Sequence, residues 1–346
     1  MNINHGTMRA LVVLFAILVV FSVPLHASAL FQGQGQPKVP EAEMKALTAI
    51  NAMADPVAKM TAVEDFMKKY PRSNARGRIV DMLADQIEKT KDAAQATTLA
   101  EKALTIFTEP AEQDLLKTVL VDAYAGSNRV DDAFKLAGEV LAKNPEDVHV
   151  LVQMTLTGTE EAKNKNPKYV AQSLQYGLKA IELIEANKKP ANMDDTSWNN
   201  HKAALAQLYQ QTALLNYMTG NAAEAKTRLE KAVIIGPNDP SNYALLGLLV
   251  NEEYTKLAQS YKTMPAGPPK EETLKKLEAL IDNIVDVYAH VAALAANKPE
   301  YQPLLQQVSG DLLTYYKFRH NNSDTGLQEL IDKYKPKADP FSLPRP

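Results

Sequence analysis

The sequence predicts an all-α fold, and three observations carry that prediction. Small and apolar residues recur at helical spacing: Ala225, Leu229 and Ala232 are four and three residues apart and share one helix face. Helix boundaries are marked clearly. Tyr217-Met218-Thr219-Gly220-Asn221 ends one helix with a glycine that tolerates positive φ, Asn221 and Glu224 open the next as an N-cap and its N3 partner, and Gly236-Pro237 stops it. Finally, 346 residues with 45% hydrophobic residues, 14 glycines and few β-branched runs suit a large helical core better than a sheet.

The unit of helix, turn, helix and stop occurs twice. Counted back from Pro237, Ala225 lies twelve residues before the stop and Ala232 five. Counted back from Pro145, the same offsets give Ala133 and Val140, with a turn at Gly126-Ser127-Asn128 and with Leu120 and Tyr124 on the first helix. This pattern resembles the tetratricopeptide repeat (TPR), a unit of about 34 residues. Residues 114–147 match it well, and residues 206–239 match in their second helix. In the latter's first helix Tyr209 keeps the aromatic position, whereas Thr212, Ala213 and Asn216 depart from the family's Leu-Gly and Tyr. A third unit opens at Pro240 and then departs. The segment FMKKYPRS, ending at Ser73, is similar to the second helix of degenerate repeats in bacterial envelope proteins.

Close packing gives these residues their physical meaning. Antiparallel helices approach tightly only where small residues face each other, hence Ala133, Ala225 and Ala232, while Leu136, Leu229 and Tyr243 fill the gaps between neighbours. A single unit cannot bury its apolar face alone, so the resemblance implies a stacked, TPR-like α-solenoid with a concave surface, ended by an irregular helical cap. An ordinary bundle whose alanines reflect helix propensity is the competing reading.

In chain order, residues 1–29 have the layout of a secretory signal peptide. Arg9 precedes an apolar run from Ala10 to Phe21, Pro24 breaks it, and Ala27-Ser28-Ala29 supplies small residues for cleavage after Ala29. An uncleaved inner-membrane anchor is the alternative, although the run is short for a span of about 20 residues. Removing residues 1–29 takes away one base and no acid, moving the net charge from −3 to −4. A periplasmic or secreted location follows, and the chain has no cysteine for disulfides, thiolate metal sites or a lipid anchor.

Residues 30–40, LFQGQGQPKVP, form a flexible linker whose glycines lack the strand and helix of a phosphate loop. Repeats are expected over 41–263, with helices at 41–54, 57–70, 75–89 and 93–107, then the unit at 114–147. A helix over 148–156 should stop at Thr157-Gly158, before the polar stretch EEAKNKNP. Further helices are expected at 169–186 and, as one long rod, from Trp198 to Tyr217. Trp198 reads as buried packing, with stacking on a ligand as the alternative. After the break MPAGPP, residues 270–334 form the cap, with helices at 270–297, 300–320 and 325–334. Residues 335–346 form a proline-rich loose tail.

No catalytic motif stands out, so an enzyme is not expected and no cofactor or metal is implied. His149, His201, His290 and His320 fall on separate elements and read as structural or surface residues. Asp194-Asp195 reads as helix capping. The acidic balance and export argue against nucleic acid, despite the aromatic and basic run from Tyr315 to His320. What remains is a binding surface. If first helices line the groove, as the resemblance implies, the candidates are Thr118 and Asp122, then His149 and Gln153, then Gln207, Gln210, Gln211 and Tyr217, and finally Asn251. This set is polar, amide-rich and nearly uncharged, and lacks the family's lysine and asparagine clamp for acidic C-termini. The expected function is an exported, non-catalytic scaffold for a protein or peptide partner in the cell envelope. The rivals are a receptor for a small ligand, peptide or glycan using the same groove, and an accessory subunit of an envelope enzyme or assembly complex.

Overall fold

The computed structural model describes residues 38–191 and 193–336, so the expected signal peptide, nearly all of the linker and most of the tail lie outside the described residues. Among the described residues there are fifteen α-helices, two short 3-10 turns and no strand. None of the helices is long and apolar enough to cross a membrane. The protein is an all-α helical-repeat fold.

The chain divides into two compact units between Gln211 and Thr212. The first holds α1 (Glu41–Asn51), α2 (Pro56–Lys69), α3 (Arg76–Glu88), α4 (Ala93–Ile106), α5 (Pro110–Gly126), α6 (Val130–Lys143), α7 (Val148–Lys163), α8 (Val170–Glu185) and α9 (Asp195–Ala203). The division falls inside α10 (Leu205–Met218). The second unit continues with α11 (Ala222–Ile235), α12 (Pro240–Thr263), α13 (Pro268–Ala295), α14 (Gln302–Arg319) and α15 (Leu327–Lys333).

Helix starts follow one local rule. Asp55, Asp92, Asp147, Asp194, Asn221 and Asp239 each accept a backbone N–H of the following first turn, and Pro56, Pro110 and Pro240 occupy first positions where no N–H is needed. Two turns close alike. Arg129 N–H reaches Tyr124 O and Asn221 N–H reaches Asn216 O, both at 2.9 Å, around left-handed residues Asn128 (φ 61°) and Gly220 (φ 82°).

In the first unit each helix packs on the next from α1 to α8, and α5 also adjoins both α3 and α7, as α2 adjoins α4. That is the two-layer arrangement of a helical-repeat stack. Ala75, Ala84, Ala100, Ala103, Ala133 and Ala137 are fully buried where the layers meet. An ion pair ties the α3–α5 step: Arg76 grips Glu112 with two hydrogen bonds of 2.7 and 2.6 Å, and Glu112 is only 4% exposed.

Two expected breaks fall elsewhere. Helix α7 runs through Gly158 to Lys163 instead of stopping at Thr157-Gly158. Gly158 is an approach point: a Cβ there would lie 1.8 Å from Ser173 Oγ, so glycine lets α8 close on α7. The expected rod from Trp198 to Tyr217 is two helices, broken at Ala204. Trp198 is buried, as expected, and donates from Nε1 to Asn187 Oδ1 at 3.1 Å.

The second unit abandons the short repeat. Helices α12 and α13 have 24 and 28 residues and pack along each other, so the expected boundary near 263–270 is a turn inside one core. That core joins Ala225, Leu229, Tyr243 and Leu246 to Ile281, Ile284, Val291, Val308 and Leu312.

Candidate functional site

Most of the candidate groove residues meet a partner or the interior. In the second unit Tyr217 donates to Glu252 at 2.5 Å, and Asn251 accepts from the Tyr315 hydroxyl at 2.7 Å. In the first unit Thr118 is buried, with its hydroxyl on Asp114 O at 3.2 Å, and Gln211 is buried, with an amide contact of 3.3 Å to Gln210. Gln153 and Gln207 are half-buried. Asp122 and His149 are brought together: His149 Nε2 lies 2.7 Å from Asp122 Oδ2.

Around that pair the first unit builds a cluster. Arg76–Glu88 places Asp81 and Glu88 on one side of α3, seven residues and so about 10.5 Å apart. Helix α5 supplies Asp122 and α7 supplies His149. Helix α9 supplies His201, whose ring stands edge-on to that of His149 at 6.0 Å. His149 is 4% exposed, His201 1%, and the Asp122 side chain 27%. Asp147 caps α7 beside them, accepting from Val150 N–H at 3.1 Å.

The electrostatics show how costly this arrangement is. Burial pushes Glu88 up to about 8, with the charge of Asp122 adding to it, and burial alone pushes Asp81 up to about 6. Burial also raises Asp147. For His149 burial opposes the imidazolium, yet Asp122, Asp147 and Glu88 outweigh it and hold its pKa up at about 9. His201 lacks a carboxylate partner, so burial and the neighbouring His149 charge drive it down to about 3. One imidazole is therefore charged and the other neutral at pH 7.

Hydrogen bonding is incomplete here. Asp81 Oδ1, Glu88 Oε1, Asp122 Oδ1, His149 Nδ1 and both ring nitrogens of His201 are buried without a partner. These are six of the nine such side-chain atoms among the described residues, so the deficit is concentrated on the α3–α5–α7 layer and α9. The buried polar cluster of the first unit is built of carboxylates and imidazoles, of which the expected set included only Asp122 and His149. Repeat framing found Asp122 and His149 but missed Asp81, Glu88 and His201. The spacing of Asp81, Asp85 and Glu88 by four and three residues was the available signal for an acidic face. No signal joined His201 to His149, because 52 residues separate them.

No hydroxyl serves His149. Its Nε2 is committed to Asp122, Nδ1 has no partner, and Thr118, Thr155 and Thr159 give their hydroxyls to helix carbonyls. Among the described residues no group of three His, Asp or Glu side chains is arranged to hold a metal ion.

No family model matches the chain, and no curated protein matches it. Among solved structures, a monomeric mutant of IFIT1 with the capped RNA m7Gppp-AAAA is similar to it over 81% of this chain, at 15% identity and a TM-score of 0.37. The match covers 56% of the IFIT1 chain, so this chain spans a little over half of that protein's length.

Proposed function

We propose that the chain is an exported, non-catalytic scaffold of the tetratricopeptide type that binds a protein or peptide partner in the cell envelope, using the α3–α5–α7 layer of its first unit. The supporting observation is the concentration of unpartnered polar atoms on that layer. These atoms are buried and form a polar layer beneath the surface, and the partner would meet that layer through its half-buried side chains, Asp122 and Gln153 among them.

The test is photo-cross-linking in living cells, with the reactive residue at Gln153 on α7 or, as a control, at the exposed Asp65 on α2. The reading expects one discrete cross-linked protein from position 153 and none from 65. Equal labelling from both, or none from 153, would overturn it. Export is checked by sequencing the N-terminus of the purified mature protein: Leu30 is expected, and a chain beginning at Met1 would point to a retained anchor.

A further inference from the structure

Helix α15 is the least embedded element of the second unit. Alone among the α-helices of the described residues, it has no buried residue. It packs on α13, and Leu327, Leu330, Ile331 and Tyr334, at i, i+3, i+4 and i+7, lie partly buried against the core of the unit. Its one specific fixture is Tyr334. That ring stacks on His290 with centroids 3.5 Å apart, His290 stacks in turn on Tyr243 at 4.4 Å, and the Tyr334 hydroxyl donates to Asp286. His290 and Tyr243 from two helices, with Asp286 at the side, thus form a slot for one tyrosine ring.

The connection from α14 to α15 runs from His320 to Gly326 and carries three left-handed residues: Asn321 (φ 50°), Asn322 (φ 65°) and Gly326 (φ 89°). Two successive non-glycine residues in that region are held at a conformational cost. The fold-back is closed by Asn322 N–H on Lys317 O at 2.8 Å, by the Tyr316 hydroxyl on Thr325 O at 2.9 Å and by the Lys317–Asp324 ion pair at 3.2 Å. Opened out, such a connection spans about 23 Å.

We propose that α15 exchanges between two copies of the chain, each copy seating its Tyr334 in the His290–Tyr243 slot of the other. The occupant follows from the structure, because the slot is seen filled and a second copy carries the identical helix. Exchange remakes every contact between α15 and α13 and relaxes Asn321 and Asn322 in both copies. Against it stands the tether, which presents a chain's own α15 to its own slot at an effective concentration of order millimolar. The monomer therefore prevails when dilute, and the exchanged dimer gains as the protein concentration approaches that value. This self-pairing belongs to the second unit and is independent of the binding face proposed for the first.

The experiment is sedimentation equilibrium of the full chain at pH 7, from about 10 µM to about 1 mM, which brackets the effective concentration. A dimer rising with concentration is expected. Asn321→Thr with Asn322→Thr places β-branched residues at left-handed positions, which disfavours the fold-back, and should tighten the dimer at least tenfold. Asn321→Gly with Asn322→Gly removes the strain and should weaken it. In the threonine background, Tyr334→Ala and His290→Ala should each be monomeric alone and form a 1:1 complex when mixed, since one supplies an intact slot and the other an intact helix. Tyr334→Phe, which keeps the stack and loses only the bond to Asp286, should fall between wild type and Tyr334→Ala, and serves if the alanine variants lose far-UV circular dichroism. A chain monomeric throughout with either hinge would overturn the exchange, as would equal dimerisation of the threonine and glycine variants. A dimer indifferent to Tyr334→Ala and His290→Ala would also overturn it, by assigning the pairing to another face.

Discussion

The two units differ in which polar groups they hold inside their helical packing and in how many of those groups find partners. In the second unit two buried tyrosine hydroxyls find partners, Tyr315 on Asn251 at 2.7 Å and Tyr316 on Thr325 O at 2.9 Å, and three side-chain atoms, Arg228 Nε, Asn242 Oδ1 and Gln307 Oε1, are without one. Burial raises the pKa of Tyr288 and Tyr315, so they stay neutral and satisfied. In the first unit the buried threonines and Glu112 are satisfied, but the carboxylates and imidazoles on α3, α5, α7 and α9 hold six of the nine unpartnered side-chain atoms among the described residues. A satisfied polar interior adds stability; an unsatisfied one costs stability and persists where something else benefits. The comparison puts most of the unmade hydrogen bonds in the short-helix unit.

The largest effects should come from close-approach positions, and they should separate the units. Gly158→Val puts a branched side chain into Ser173 and should destabilise the first unit by about 3 kcal/mol or more. Trp198, the only tryptophan, lies in that unit, so its fluorescence in a denaturant titration reads the change directly. Gly247→Val strikes Tyr288 in the second unit, where the added Cβ would lie 2.3 Å from the ring. It should lower the far-UV circular dichroism transition of that unit and leave the Trp198 transition in place. If both glycine variants move both transitions together, the two units are one cooperative body.

Next in size is the Arg76–Glu112 tie. Arg76→Ala strands a buried carboxylate and should cost roughly 3 kcal/mol in the Trp198 transition. A loss under 1 kcal/mol would mean that water satisfies Glu112 in its place.

The pH response should differ in size between the units. Glu88 carries a raised pKa, so the folded chain holds its proton between 4.5 and about 8, and stability falls as pH rises across that range. The raised His149 adds stability that is full below 6.5 and lost as pH rises through about 9. His201, depressed to about 3, adds stability above 6.5 that is lost as pH falls. From pH 6.5 to 9 the first two act together, so the Trp198 melting temperature should drop by several degrees. Glu88→Gln should flatten the part below pH 8. The second unit should be nearly flat there, because its raised tyrosines titrate above about 10. A first unit equally flat would mean that the cluster is solvated. Smallest is Tyr315→Phe, which removes one hydrogen bond to Asn251 and should cost about 1 kcal/mol, in the second unit alone.

Much of the fold was legible because it is local. Gly220 with Asn221, the Asp–Pro helix starts and the buried Ala133, Ala225 and Ala232 all act within a few residues of themselves. Gly158 misled because glycine reads as a stop, whereas here its smallness serves Ser173 on another helix. The break at Ala204 has no glycine or proline to announce it. At the site, repeat framing reached Asp122 and His149, which keep the register of successive first helices. Glu88 and His201 escaped it because their meaning lies in what they face across helices, which periodicity does not encode. Tyr217 and Asn251 kept that register too, but lie in the second unit, where Glu252 and Tyr315 engage them.

The measurement that bears most directly on this account is an NMR titration of the histidine side chains in the intact chain, from pH 3 to 10. The account predicts two extreme imidazoles in the first unit: His149 still charged toward pH 9, and His201 still neutral toward pH 3. His149 and His201 both titrating near 6.5, as solvated histidines do, would contradict the buried cluster, and with it the proposed binding face.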